Sequence, residues 1–515
     1  LSPMNASSDA DRVLLYVPSL EEQPSLSFYL HTEAVYDFRE ERANLTRALR
    51  GRPLQHVAPI AWNKYLTDYY VVPTLYGHER RTLDPEQAAV HVVPVMPVVS
   101  HLMAAIARNA SSRHEARMAA VAESLLREAY FRSTAMPFLF IGSFDLLEDG
   151  FTAQLLSVLS TRKAKNVIIA LLDRSNRGLG ANKVHPTLFK NAIAMPHVAG
   201  HENGQLARDC CAKPDSCRPV ANRSGFVFMG DTSRFDGGAR GAMRDIMRYL
   251  PVATTFNSSG WMRVDEATLL PTFDEHGMLE ANPTYATRWV EAMKLSAESM
   301  SSGRLCWAPR GDVQTSRRMF DAIAAGCVAI MVQERAIAFY ENLPFPTSIP
   351  WRSFTFGLIP ANMSLEHRYS LAEGNVDTSR QWEASALLRQ YENFRVLHAA
   401  SRLGRRAFCE SLSLEYNAKG VADAMLSEVF ASQAVRTHGQ ILRLGVRSAT
   451  RLPTAPLTTD TGRMAGWGLS VRTRRASSKK SKGKATASTK AGAALRQRTT
   501  KAGTPGHAPG SARRR

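Results

Sequence analysis

LCWAPRGDVQTSRRMFDAIAAGCVAIMV, residues 305–332, reads as strand, loop, helix, glycine stop and strand. LCW is a short apolar run of the strand type, and PRGDVQ is the polar turn beyond its carboxyl end. Thr315 or Ser316 stands where a helix needs its N-cap, and Gly326 where a left-handed residue ends it. Met319, Phe320 and Ile323 recur at helical spacing and supply a buried face. VAIMV then reads as the next strand. Apolar strands joined through a helix are the unit of a parallel α/β sheet.

The same stretch has chemistry in it. Arg317 and Asp321 stand four apart and share a helix face. In the plainest reading they are an exposed ion pair worth about 0.3–0.5 kcal/mol. In the other reading, the helix N-terminus, Gly311 in the turn and Arg310, Arg317 and Arg318 around it form an anion site. Asp321, one turn further in, can accept hydrogen bonds from ribose hydroxyls. A site that takes a diphosphate and a ribose together suits a nucleotide sugar. Neither a P-loop nor G-x-G-x-x-G is present.

Working outward, short apolar runs alternate with helical stretches. VLLYVPSL from Val13, AAVHVVPVMP from Ala88, PFLFIGSFD ending at Asp145, NVIIALLD ending at Asp173 and NAIAMP ending at Pro196 read as strands. A long helical stretch runs from about Pro97 to Tyr130. Beyond a polar, Cys-rich segment the pattern restarts with GFVFMGD, the helix GARGAMRDIMRYL and VATTFN. A helical segment from Ser379 to Phe430 closes it. We read a lead-in over 1–12, a first Rossmann-like domain over 13–205 and a Cys-rich linker over 206–221. A second, nucleotide-sugar-binding Rossmann-like domain follows over 222–435, then a disordered basic tail over 436–515. Two such halves imply a cleft between them, where ligands of open parallel sheets sit.

Length and composition agree with this plan. A chain of 515 residues exceeds one ordinary core. Its hydrophobic content of 44% and charged content of 22% are those of a globular protein. The net charge of +19 is concentrated at one end: from Val471 onward the chain carries 14 of the 65 Lys and Arg and no acidic residue. The remainder holds 51 basic against 46 acidic groups, so only the tail has the charge of a polyanion binder. No apolar run reaches the roughly 20 residues of a membrane span. Six sequons, at Asn5, Asn44, Asn109, Asn222, Asn257 and Asn362, lean towards a secretory compartment. Cys210, Cys211 and Cys217 cluster near His197 and His201, and their spacing favours a disulfide-tied loop over a zinc site. Trp289 and Trp351 read as core or rim aromatics or as platforms for a sugar ring.

Residues 305–332 resemble the signature of the exostosin-like glycosyltransferases through Cys306, Pro309, Gly311, Asp312, Ser316, Arg317 or Arg318, Asp321, Gly326 and Cys327. RTLDPEQAAVHVVP, KNAIAMPH and FVFMGDTSRFDGGARGAMRDIM resemble further blocks of that family, in its order, over about residues 13 to 430. Arg240 matches an arginine of the last block. Two departures stand out. FRSTAMPFLF lacks the family's glycine and aspartate–histidine pair, and Ala329 replaces the proline after Gly-Cys.

The resemblance implies a GT-B-type fold of two Rossmann-like domains facing a cleft. It implies inverting transfer from a nucleotide sugar, with UDP as the expected carrier, to a glycan acceptor. It also implies a Golgi address, with a type II anchor outside this chain. We expect Arg240, Arg310, Gly311, Asp312, Ser316, Arg317, Arg318 and Asp321 to bind the donor, and Asp145 or His197 to act as base. No essential metal cofactor is expected, since arginines and the helix N-terminus can meet the leaving diphosphate. The departures leave a non-catalytic fold with a polyanion-binding tail as the alternative.

Overall fold

The computed structural model describes residues 26–57, 66–107, 110–132, 136–142, 151–160, 166–172, 188, 191–213, 217–230, 238–250, 253–257, 272–276, 279–309, 315–332, 340–358 and 378–432. The expected first strand from Val13, the base candidate Asp145, the turn residues Arg310, Gly311 and Asp312, and the tail lie outside them.

Two parallel sheets carry the fold. The first holds β1 (Phe28–Leu30), β2 (Arg81–Thr82), β3 (Val90–Val93), β4 (Phe138–Ile141), β5 (Val167–Leu171) and β6 (Ile193–Ala194) in the order β2-β1-β3-β4-β5-β6. The second holds β7 (Phe226–Gly230), β8 (Ala253–Asn257), β11 (Leu305–Trp307), β12 (Val328–Val332) and β13 (Thr355–Leu358) in the order β13-β12-β11-β7-β8. β9 (Thr272–Phe273) and β10 (Leu279–Glu280) form a separate antiparallel pair. Read from β8, the second sheet repeats the order of the first: second strand, first, third, fourth, fifth. That is one of the common orders of doubly wound sheets. The strand order reverses between β1 and β3 in one sheet and between β7 and β11 in the other.

The apolar runs form strands because both sheet faces are covered. β3, β4, β5, β7, β11 and β12 are buried at every residue, as expected of parallel strands between helices. The helical stretch expected over 97–130 is observed as two long helices, Pro97–Ile106 and Ala110–Arg127, and the short helix Ala129–Arg132. The expected linker 206–221 is helical in its first part, within His201–Ala212. Closing helices Thr378–Glu392, Phe394–Ala407 and Ala418–Ala431 complete the described chain. The last of them returns to the first sheet, where His78 Nε2 meets Asp423 at 2.8 Å. Among the described residues, no helix is long and apolar enough to cross a membrane.

All six cysteines are paired, as Cys210–Cys217, Cys211–Cys409 and Cys306–Cys327. The cysteine cluster therefore holds no zinc. His201 points instead to Glu415 at 2.7 Å. Trp351 is a core residue whose indole N–H donates to the Pro344 carbonyl at 2.8 Å.

Candidate functional site

The helix read from the opening stretch runs over Arg317–Ala324, with Met319 to Ala324 all buried. Gly326 ends it at φ 71°, and a side chain there would run into the Arg405 guanidinium. Three cationic or polar side chains finish the helix C-terminus. Arg223 and Arg405 donate to the Ala325 carbonyl at 3.0 and 3.3 Å, and Ser401 donates to the Gly326 carbonyl at 2.6 Å. Positive charge belongs at this end of a helix. Arg223 is so buried that its guanidinium is pushed down to about 9.

The other end of the helix differs from expectation. Ser316 occupies the N-cap in extended backbone, but neither hydroxyl caps. Thr315 instead donates to the Leu172 carbonyl at 2.8 Å and lies 3.2 Å from His197 Nε2. A carbonyl only accepts, so the one hydroxyl proton goes to Leu172, and His197 Nε2–H must donate to Thr315. Leu172 follows β5, His197 follows β6 and Thr315 follows β11. The carboxyl ends of the two sheets therefore meet at this helix start.

Gly200 tightens the junction. Its N–H donates to Asp321 Oδ1 at 2.5 Å, and Asp321 Oδ2 lies 3.4 Å from Arg317 Nε. A Cβ on Gly200 would stand 2.9 Å from Arg317 Nη2, so glycine is what lets the two chains approach. Both side chains of the Arg317–Asp321 pair are only 9% exposed, which overturns the reading of an exposed surface pair. Burial raises the Asp321 carboxyl, and Arg317 and the Gly200 N–H oppose that shift.

The buried arginine is only partly satisfied. Among the described residues, Arg317 Nε has only the long 3.4 Å contact to Asp321, Arg317 Nη1 has no hydrogen-bond acceptor, and the buried Ser316 Oγ has no partner. Arg317 Nη2 has only the Met293 sulfur, at 3.7 Å. Asn203 Oδ1, on the first turn of the neighbouring helix His201–Ala212 whose N-cap is Gly200, is also unpaired among the described residues. Buried polar groups normally find partners, so such a cluster marks a place for something polar. Asp321 offsets the Arg317 charge, and two helix N-termini add positive potential to the cluster.

Arg318, by contrast, belongs to its own sheet. Its Nε donates to the Met229 carbonyl at 2.6 Å and its guanidinium lies over the Phe228 ring. A Cβ on Gly230 would meet it at 2.8 Å. Arg318 thus bridges the carboxyl end of β7 to the helix following β11, across the point where the strand order reverses. Open α/β sheets bind their ligands at such a point. Arg240 lies half-buried on Gly238–Met247, the helix after β7.

Residues 231–368 match the family model of the Exostosin GT47 domain. The chain carries an exostosin GT47 domain. The match takes in β8 to β13 and the whole Arg317 helix, while the blocks at RTLDPEQAAVHVVP and KNAIAMPH lie outside it. No curated protein matches the chain. Among solved structures it is similar to a glycosyltransferase from Rickettsia africae ESF-5, at 10% identity over 79% of this chain and 99% of that one, with a TM-score of 0.29. It is also similar to an alpha,alpha-trehalose-phosphate synthase (UDP-forming) from Burkholderia vietnamiensis, at 11% identity over 65% and 81% of the two chains, TM-score 0.21. At TM-scores this low the likeness carries no argument about site or substrate.

Sequence reasoning missed two residues of the junction around Arg317. Gly200 and Asn203 lie over a hundred positions from Arg317 in sequence, and neither belongs to a motif. A third buried group, Asp68, sits nearby at the carboxyl side of the first sheet. Its carboxylate accepts the N–H groups of Tyr69 and Val98, both at 2.8 Å, and burial pushes its carboxyl up to about 7. No local pattern flags it, because its second partner, Val98, arrives from another helix.

Proposed function

We propose that this chain transfers a sugar from a nucleotide sugar, with UDP as carrier, to a glycan acceptor with inversion at the anomeric carbon. The observation that carries this reading is the half-satisfied Arg317 guanidinium, held between the carboxyl ends of two parallel sheets on a helix that lies within the exostosin match. A diphosphate supplies the acceptors that Arg317 Nη1 and Ser316 Oγ lack. As the sugar–phosphate bond breaks, charge grows on that diphosphate, and a fixed guanidinium meets it without reorganising. Arg240, Arg310, Gly311 and Asp312 are proposed as further donor-binding groups, and no metal is assigned to the leaving group.

In this reading the acceptor hydroxyl loses its proton to His197 or to Asp145. For His197 the route is restricted. Its Nε2 donates to Thr315, so a neutral ring can take a proton only on Nδ1. We place the protein in the secretory pathway, in the lumen of the Golgi. Three disulfides are at home in an oxidising compartment, and the sequon residue Asn222 is exposed. The test is an array of UDP-sugars scored for nucleotide release, with and without oligosaccharide acceptors. Acceptor-dependent release from one donor supports the proposal; no release from any donor opposes it.

A further inference from the structure

Among the described residues, two clusters outside residues 231–368 bring a histidine and two carboxylates within 4.8 Å of one another: His31, Glu33 and Glu128, and His78, Glu79 and Asp423. The second is complete as it stands. The Arg80 N–H donates to His78 Nδ1 at 3.1 Å, which fixes the other ring proton on Nε2, facing Asp423 at 2.8 Å. Lys419 supplies the positive charge, 3.2 Å from Glu79 and 2.9 Å from Asp423.

The first cluster has no such cation. Among the described residues, neither Glu33 nor Glu128 is ion-paired with a lysine or arginine. Its protons also fail to balance. A chain of contacts runs from the Pro85 carbonyl to His91 Nε2 at 3.2 Å, and from His91 Nδ1 to His31 Nε2 at 3.1 Å. It ends from His31 Nδ1 to Glu33 Oε1 at 3.2 Å. The carbonyl and the carboxylate only accept, so each end needs an N–H, and the middle contact needs a third. Two neutral imidazoles have two. His31 and His91 are 1% and 0% exposed, so charging a ring here costs desolvation.

A metal ion at the Glu33 end resolves the count. With the ion on His31 Nδ1, His31 Nε2–H donates to His91 Nδ1 and His91 Nε2–H donates to Pro85. Both rings stay neutral and every contact is made. A ligating histidine that passes its other N–H to a fixed acceptor is the usual arrangement behind a metal. Glu33 and Glu128 supply two anionic oxygens. Glu128 also follows the C-terminus of helix Ala110–Arg127, where the helix field favours a cation. One imidazole with two carboxylates suits a divalent transition metal better than calcium or magnesium.

We propose that His31, Glu33 and Glu128 bind a divalent transition-metal ion, backed by His91, that ties the end of β1 to the helix Ala110–Arg127. The site shares no residue with the Arg317 junction, and its role is to hold the first sheet's covering helix in place.

The test uses untagged full-length protein and Zn2+ alone, followed by calorimetry and metal analysis after dialysis. The expected result is one Zn2+ per chain, with equal affinity in the Asp423→Asn control. The Glu33→Gln/Glu128→Gln double variant loses that binding, and His91→Gln weakens it by about 10–100-fold. X-ray absorption of the wild-type zinc complex needs no variant, and it should show one imidazole nitrogen among oxygen neighbours. Absence of wild-type binding, a shell without imidazole, or equal affinity in the double variant overturns the proposal.

Discussion

Arg317 is the residue on which the functional reading turns. It is only 9% exposed, ion-paired to Asp321 through Nε, and left with Nη1 lacking an acceptor among the described residues. Arg317→Ala should lower kcat by about 10²–10³-fold, the usual loss for one donor aimed at developing charge. Arg318→Ala should act differently, since Arg318 spends its Nε on the Met229 carbonyl. It should cost stability as well as rate, seen as a lower melting temperature. Gly200→Ala places a methyl 2.9 Å from Arg317 Nη2 and should mimic part of the Arg317 defect in an otherwise folded protein. Wild-type rates in both Arg317→Ala and Gly200→Ala would remove Arg317 from the mechanism. The motif itself was readable: Arg317, Asp321 and the Gly326 stop stand at helical spacing. What Asp321 holds was not readable, because Gly200 reaches it from a distant strand exit, and no spacing rule connects them.

The helices and strands divide along the same line. β4, β5, β7 and β12 are runs of four or five apolar residues, buried throughout, and their identity follows from composition. β1 and β2 have three and two residues with mixed exposure, so no periodic signal marks them. The cysteine cluster announced a disulfide-tied segment, yet Cys211 pairs with Cys409 on the π-helical turn Phe408–Leu412, 198 residues away. That cross-link fastens helix His201–Ala212 to the closing helices. Replacing Cys211 and Cys409 together by serine should cost about 2–5 kcal/mol of stability, measurable by denaturant unfolding. Gly326→Ala forces a left-handed residue to carry a Cβ against Arg405, and should cost at least about 1 kcal/mol by the same measurement.

For the molecule as a whole, stability should depend on pH in a stated direction. The hydrogen bond to Glu415 raises the His201 imidazole above its ordinary range. The stabilisation this gives is full below the unfolded value of about 6.5 and is lost as pH rises through the folded value. Asp68, pushed up to about 7 by burial, has the same sign: its contribution falls away as pH climbs from the unfolded value of about 3.9 towards 7. The melting temperature should therefore be higher at pH 5.5 than at pH 8, and Glu415→Gln should flatten the upper part of that slope. A melting temperature that rises over this range contradicts the assignment. The two-sheet plan was visible in the sequence as a repeated strand–helix grammar. That the sheets share one strand order, and meet through Thr315, Leu172 and His197, depends on contacts between distant segments.

The central claim is that the start of helix Arg317–Ala324 receives the donor's diphosphate. Calorimetric titration of UDP into the wild type and into Arg317→Ala tests it most directly. A charge-assisted contact is worth about 1.5–3 kcal/mol, so the variant should bind UDP roughly 10–100-fold more weakly while still unfolding in a cooperative transition, at a lower temperature because Asp321 loses its partner. Equal UDP affinity in the two proteins would contradict the account.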